Sequence, residues 1–234
     1  MATIDRGFSE YLLKAVDNPA QYGVHQLFND WWRFAPDAVK DKYLKDFRNL
    51  PDHKAFIADG HYADPISIAQ LNDHAEGTFG RAYYHFIVDN NLEEKIAINY
   101  RMFHEHLEKS GALTGMPSEI RYAVLRGFQV HDFMHVVTGY DSSPRSEIAL
   151  QAFSLAQLKF PYFSMWMSVV TTRMTFIDPD MIVPTMDAIT EGWQFGRRAR
   201  NLAFEKWEAR LDDPLTELRP KFGIAPQGKL ALAA

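Results

Sequence analysis

The sequence predicts an all-α protein folded as one domain. Three observations carry that prediction. Apolar residues recur at helical spacing in segment after segment, no run alternates long enough to make a strand, and prolines and glycines punctuate the text at helix-length intervals. With 234 residues and no internal repeat, the chain can bury one large core.

Residues 8–17 and 20–34 carry Phe8, Leu12, Leu13 and Val16, then Val24, Leu27, Phe28, Trp31 and Trp32, with Pro19 between the two helices. Pro36 opens a third helix that ends before Pro51, its Val39, Tyr43, Leu44 and Phe47 forming the stripe of an amphipathic surface helix. Residues 52–78 read as a linker with one short helix near 65–72. His25, His53 and His61 are isolated polar residues and read as solvated. Gly77 and Gly80 surround the start of the helix over 77–91; no strand precedes them, so close helix packing is favoured over phosphate binding. The charged helix over 93–109 holds His104 and His106, which face different ways and read as surface residues.

The helix over 117–138 is apolar nearly all round, through Ile120, Val124, Leu125, Phe128, Met134 and Val137, which predicts a central, buried helix. A long apolar segment follows Glu147 and breaks at Pro161. Its run FPYFSMWMSVV suits a core, or equally the wall of a lipid pocket or a membrane-facing surface. Pro179 and Pro184 open a helix over 183–210 bearing Trp193, Gly196, Arg197, Arg198 and Arg200. Those arginines either pair with surplus acids or meet an anionic head group or carboxylate, and Arg197 and Arg198 are the candidates for a substrate-pocket mouth. The tail DDPLTELRPKFGI reads as a short capped helix and a frayed end.

Composition excludes several classes. A net charge of −5 without a basic block argues against nucleic acid. The absence of cysteine removes disulfides, thiolate metal sites and a catalytic thiol. That absence does not fix the compartment, and cytoplasm is the simplest reading; the acid-bearing N-terminus is not a signal peptide, and no apolar run reaches the roughly 18–20 residues of a membrane span. The aromatic content of 14% fits a ring-rich interior or an apolar ligand pocket, and an aromatic surface would favour a homodimer.

The stretch HDFMHVVTGYDSSPRSE, 131–147, concentrates the chemistry. His131 and His135 lie one helical turn apart on one face, with Asp132 at its edge. Gly139 can close the helix in a left-handed conformation, and Ser142 or Ser143 can cap the next, with Pro144 in its first turn and Glu147 in its second. Two imidazoles and two carboxylates at one point make a divalent-metal site by ligand type. Burying these groups costs several kcal/mol unless each finds a partner, and one ion supplies it for all. The other reading makes Asp132 an acceptor that orients a histidine and Glu147 a charge at its helix N-terminus.

This pattern of His-Asp, two residues, His, eleven residues and Glu resembles the Coq4 family of ubiquinone (coenzyme Q) biosynthesis proteins. GTFGRAYYHF at 77–86, IVPTMDAITEGWQFGRRAR at 182–200 and WEARLDDPLTELRPKFGI at 207–224 resemble other blocks of that family, while the first 50 residues add little. The resemblance implies an all-α peripheral membrane protein at the inner (cytoplasmic) membrane, working with other quinone-biosynthesis proteins. It further implies a metal-dependent, oxidative removal of the C1 carboxyl of a polyprenylated hydroxybenzoate. By position the metal ligands would be His131, Asp132, His135 and Glu147, holding zinc, iron, manganese or cobalt. Ser146 stands where the family usually has Gly, and Ala152, Phe153 and Ser154 where it has Trp-Phe-Glu; these departures bear on the ring substrate rather than on metal binding. Two alternatives stand beside the decarboxylase: a non-catalytic isoprenoid-binding assembly protein, and a metal-dependent lipid or phosphate hydrolase.

Overall fold

The longest helix, Ser118–Thr138, runs through the middle of the protein, and the computed structural model describes residues 4–111 and 113–225. In chain order the helices are α1 (Arg6–Asp17), α2 (Val24–Phe34), α3 (Asp37–Arg48), α4 (His53–Asp59), α5 (Ile68–Asn72), α6 (Phe79–Asp89) and α7 (Glu93–Ile96). They continue as α8 (Tyr100–Ser110), α9 (Ser118–Thr138), α10 (Pro144–Leu158), α11 (Pro161–Ile177), α12 (Ile182–Arg198) and α13 (Leu215–Lys221). Two 3-10 turns, Pro179–Met181 and Trp207–Arg210, complete the regular structure. The described residues contain no strand, only an isolated bridge between Thr78 and Pro214. The expected all-α single domain is what forms.

α9 is central because it feeds three apolar clusters. Val130, Phe133, Met134, Val136 and Val137 join one with α6, α10, α12 and the C-terminal segment. Ile120 joins a second with α2, α3 and the start of α11. Tyr122 and Leu125 join a smaller third with Phe56 and Tyr62. The second cluster is built from rings, with Phe28, Trp32, Tyr43, Phe47 and Phe160 in edge or tilted contact. Such pairs add about 0.5–1.5 kcal/mol each beyond the area they bury. The aromatic content therefore goes largely to the interior.

α10 packs most closely against α12, not against its chain neighbour α9. Glycine permits this: a Cβ on Gly192 would stand 2.0 Å from the Ala149 carbonyl oxygen, and one on Gly196 2.4 Å from that of Phe153. Gly80 likewise lies against the His74 ring, and its N–H donates to the Leu211 carbonyl at 2.7 Å, so close packing explains Gly80, whereas Gly77 has open space around it and serves the turn with φ 80°.

Several boundaries differ from expectation. The linker holds two short helices, α4 and α5. The charged helix over 93–109 is split, since the Ile96 carbonyl accepts from Ile66 N–H and the Asn99 side chain caps a fresh start at Met102 N–H. The helix expected over 183–210 ends at Arg198, because the Gln157 amide donates to the Arg200 carbonyl and accepts from Leu202 N–H, holding that stretch out of the helix. The tail is not frayed as far as it is described: Phe222 and Ile224 are buried, and Arg200 N–H donates to the Phe222 carbonyl. Two histidine expectations also fail. His53 is buried, and His104 is largely enclosed, its Nδ1 3.1 Å from the Tyr62 hydroxyl. His61 is half-buried, and His25, exposed by area, stacks on Tyr162.

Candidate metal centre

The turn between α9 and α10 forms by the expected local rules. Gly139 takes φ 85°, and its N–H donates to the His135 carbonyl. Ser143, not Ser142, caps α10, its hydroxyl accepting from Ser146 N–H, with Pro144 in the first turn. Arg219 of α13 secures the end of α9 by donating to the Val137 and Val136 carbonyls at 3.1 and 3.0 Å. Sequence reasoning missed Arg219, because nothing in the charge-rich run DDPLTELRPKFGI sets it apart from its neighbours.

The geometry brings His131, His135 and Glu147 together. His135 Nε2 lies 3.3 Å from Glu147 Oε1, and His131 Nε2 lies 3.4 Å from Glu147 Oε2. Donor atoms of the three residues all fall within 4.8 Å of one another. Two ligands bound tetrahedrally at about 2.1 Å from an ion stand about 3.4 Å apart, so these separations suit one divalent cation. His135 is 0% exposed, and its Nε2 has no hydrogen-bond partner among the described residues, an orphan that an ion would satisfy.

Each ring is also held from behind. His135 Nδ1 lies 3.2 Å from the Tyr140 carbonyl, and an N–H donated there leaves Nε2 free to offer its lone pair to an ion. His131 Nδ1 lies 3.1 Å from Asp132 Oδ1, and Lys95 Nζ stands 3.9 Å from the same oxygen. A ligating imidazole typically shows this second-nitrogen contact to a carbonyl or carboxylate. Phe86 stacks on the His135 ring at 5.2 Å and walls the trio on one side.

Electrostatics follow the contacts. Burial disfavours a charge on His131, but Asp132 and Glu147 outweigh it and raise its pKa to about 9. Burial would raise the Glu147 pKa, yet the two imidazoles hold it well below the usual carboxylate range. Asp132 is likewise depressed, burial being outweighed by His131 first and Lys95 after.

Two cavities are lined by neighbours of the trio, one by Pro144 and Tyr162 and the other by Asp132. A groove of about 880 Å³ is lined by Val24, Tyr162, Trp166, Val169, Val170 and Ile177. Its inner end reaches Pro144 and Tyr162; burial and then the nearby Glu147 charge raise the Tyr162 pKa. The run FPYFSMWMSVV thus divides its work: Tyr162, Met165 and Val169 are core, while Tyr162, Trp166, Val169 and Val170 also wall the groove. A smaller cavity of about 260 Å³ has a mixed lining, with Lys95, Gln129, Asp132 and Glu208 beside Ile66, Phe128 and Phe133.

Residues 62–227 match the family model described as coenzyme Q (ubiquinone) biosynthesis protein Coq4. The chain belongs to the Coq4 family. It is 24% identical over 159 residues to the mitochondrial ubiquinone biosynthesis protein COQ4 homolog of Bos taurus, covering 68% of this chain and 55% of that protein. With the Nematostella vectensis homolog it shares 23% over 171 residues, 70% of this chain and 74% of that one. The chain therefore spans between about half and three-quarters of these relatives' length. A crystal structure from Nostoc punctiforme, of a protein provisionally assigned to ubiquinone biosynthesis, superposes with a TM-score of 0.59 at 23% identity, over 93% of this chain and 89% of that one. That likeness shows the fold. α1 to α4 lie outside the family match, in keeping with the weak resemblance of the first 50 residues.

Within this Coq4-family chain the four motif residues are not equivalent. His131, His135 and Glu147 converge, whereas Asp132 stands behind His131, turned toward Lys95 and the smaller cavity. Arg197 and Arg198 are exposed in the last turn of α12 and are not part of the trio. Arg198 lies within electrostatic reach of the Tyr140 phenol, whose carbonyl holds His135.

Proposed function

We propose that this protein carries out the metal-dependent, oxidative C1 decarboxylation of a polyprenylated hydroxybenzoate in ubiquinone synthesis. The observation that carries the reading is the convergence of His131, His135 and Glu147, with Tyr162, which lines the apolar groove, within electrostatic reach of Glu147. His131, His135 and Glu147 would hold the ion, with Asp132 either completing the set or orienting His131. Zinc, iron, manganese and cobalt all accept such ligands, and the last three suit an oxygen-dependent step. A bound cation would supply a positive centre for the charge that develops on the ring as the carboxyl leaves. The chain's own residues do the rest: the groove takes the hydrocarbon tail and excludes water, Asp132 and the Tyr140 carbonyl fix both imidazoles, and Arg197 or Arg198 attracts the anionic substrate to the mouth.

A second reading, a non-catalytic isoprenoid-binding assembly protein, is favoured by another observation. Phe176, 84% exposed, forms an apolar corner with Ile177, Val183 and Met186 where α11 turns into α12, beside the groove. No described helix is long and apolar enough to cross a membrane. Such a corner suits peripheral contact with the inner membrane, a homodimer or a partner in quinone synthesis.

The test is metal content and turnover on one set of samples. Wild type should hold close to one divalent ion per chain and convert a prenylated hydroxybenzoate under oxygen. His135→Ala and Glu147→Ala should lose the ion and at least about a hundredfold in rate while staying folded. Full turnover by metal-free protein would rule the reading out; metal binding and tight prenyl-lipid binding without turnover would favour the assembly role.

A further inference from the structure

Gly127 lies in the middle of α9, where glycine costs about 1 kcal/mol of helix stability relative to alanine. At Gly192 and Gly196 close helix contact explains the glycine. At Gly127 a Cβ would meet nothing within 4 Å beyond its own helix backbone, although the residue is only partly exposed. This glycine borders open space, not a packing contact.

Its position gives that space a use. Gly127 precedes His131 by one turn on the same face, and helical side chains lean toward the N-terminus, so the His131 ring leans over it. On α10, Glu147, Gln151, Ser154 and Leu158 share one stripe. At one end Glu147 reaches His131 and His135; at the other Leu158 packs in the same cluster as Ala123 and Val124 of α9. Carried on from the Glu147 contact, helix geometry turns the Gln151 and Ser154 positions of α10 toward the Gly127 and Phe128 stretch of α9. Gln151 is 6% exposed, and its Oε1 has no hydrogen-bond partner among the described residues. A buried amide left open in this way is costly unless a ligand completes it. The apolar groove adjoins: the Phe128 ring lies 4.7 Å from His25 and 6.2 Å from Tyr162, both of which line it.

We propose that Gly127 and Gln151 form the head-group end of the ligand cavity. Gly127 leaves room for an aromatic ring beside the His131–Glu147 edge, and Gln151 Oε1 accepts a hydrogen bond from a hydroxyl on that ring. The assignment rests on the metal-centre reading for its chemistry, but ring binding is measurable without it.

The test compares two probes, 3-geranyl-4-hydroxybenzoate and geraniol, by quenching of tryptophan fluorescence, with metal content and Tm recorded for each variant. Gly127→Leu should bind geraniol as wild type does and the ring probe at least about tenfold more weakly, because its side chain fills the ring's space. Gln151→Leu should weaken the ring probe alone, by about tenfold, through one lost hydrogen bond. Gly127→Ala, which favours the helix, should lose about threefold and covers the case in which the leucine variant does not fold. Undiminished ring affinity in Gly127→Ala and Gln151→Leu, or equal weakening of both probes, would overturn the proposal. A wild type that selects the ring probe yet takes up no metal would sink the metal centre and leave the head-group pocket standing. Metal-loaded variants with wild-type ring affinity would do the reverse.

Discussion

The His53 ring stands edge-on to Phe47 and Phe204, with centroids 4.5 and 6.0 Å away, and is 3% exposed. Neither nitrogen has a hydrogen-bond partner among the described residues; Glu119 lies 3.9 Å from Nε2 and is itself held by Arg48. Burial keeps the His53 pKa below its usual 6.5, with Glu119 pulling upward and Arg48 and Lys54 downward. The unfolded chain then binds a proton that the folded chain refuses, so the stability His53 contributes is complete above pH 6.5 and is lost as pH falls below it. His25, His61 and His104 shift the same way and add to this acid sensitivity. Melting at pH 7 and pH 5 should show a fall in Tm that His53→Phe reduces; an equal fall in both proteins would remove His53 from the account. In the sequence this residue gave no sign of burial, because Phe204, one of the rings that covers it, comes from a distant segment. His131, His135 and Glu147 were legible for the opposite reason, since helix spacing, Gly139 and a serine cap are all local. What spacing did not decide was whether Asp132 joins the other three or stands behind His131.

At the scale of helices, glycine separates two kinds of position that look alike in sequence. Gly192 lets α10 and α12 touch through the Ala149 backbone, whereas a Cβ on Gly127 would meet nothing within 4 Å beyond its own helix backbone. Gly192→Ala must push α10 and α12 apart, an overpacking cost of about 1–3 kcal/mol. For a chain of this size that lowers Tm by about 2–12 °C. Gly127→Ala should instead raise Tm by about 2–4 °C, through helix propensity alone. Thermal melts of both variants settle the contrast, and a fall at Gly127 would mean that its space is already filled. Helix identity was readable from apolar spacing, and α9, α10 and α11 begin and end close to where it places them. The end of α12 was not readable, because Gln157, some forty residues upstream, supplies the hydrogen bonds that stop it. No local pattern encodes that contact.

For the whole molecule the question is what an ion at the α9–α10 turn would hold together. α9 is anchored by three apolar clusters, and α10 by its close seam with α12, so both helices have packing that owes nothing to the site. Removing an ion should therefore leave the fold standing while making it easier to unfold. A ligand present at about a thousand times its Kd adds about 4 kcal/mol to stability, equivalent here to about 8–16 °C in Tm. Dialysis against a chelator should accordingly leave the far-ultraviolet circular dichroism at 25 °C unchanged and lower Tm by that order. Restoring one equivalent of the metal should bring Tm back. His135→Ala should melt near the chelated wild type and not respond to the chelator, since it has lost the same ligand interaction. If chelation instead unfolds the protein at 25 °C, the two cores are not sufficient, the ion is part of the fold, and the assembly role gains over catalysis. If neither Tm nor metal content responds, the trio is a buried polar network, and the unpartnered His135 Nε2 needs another explanation.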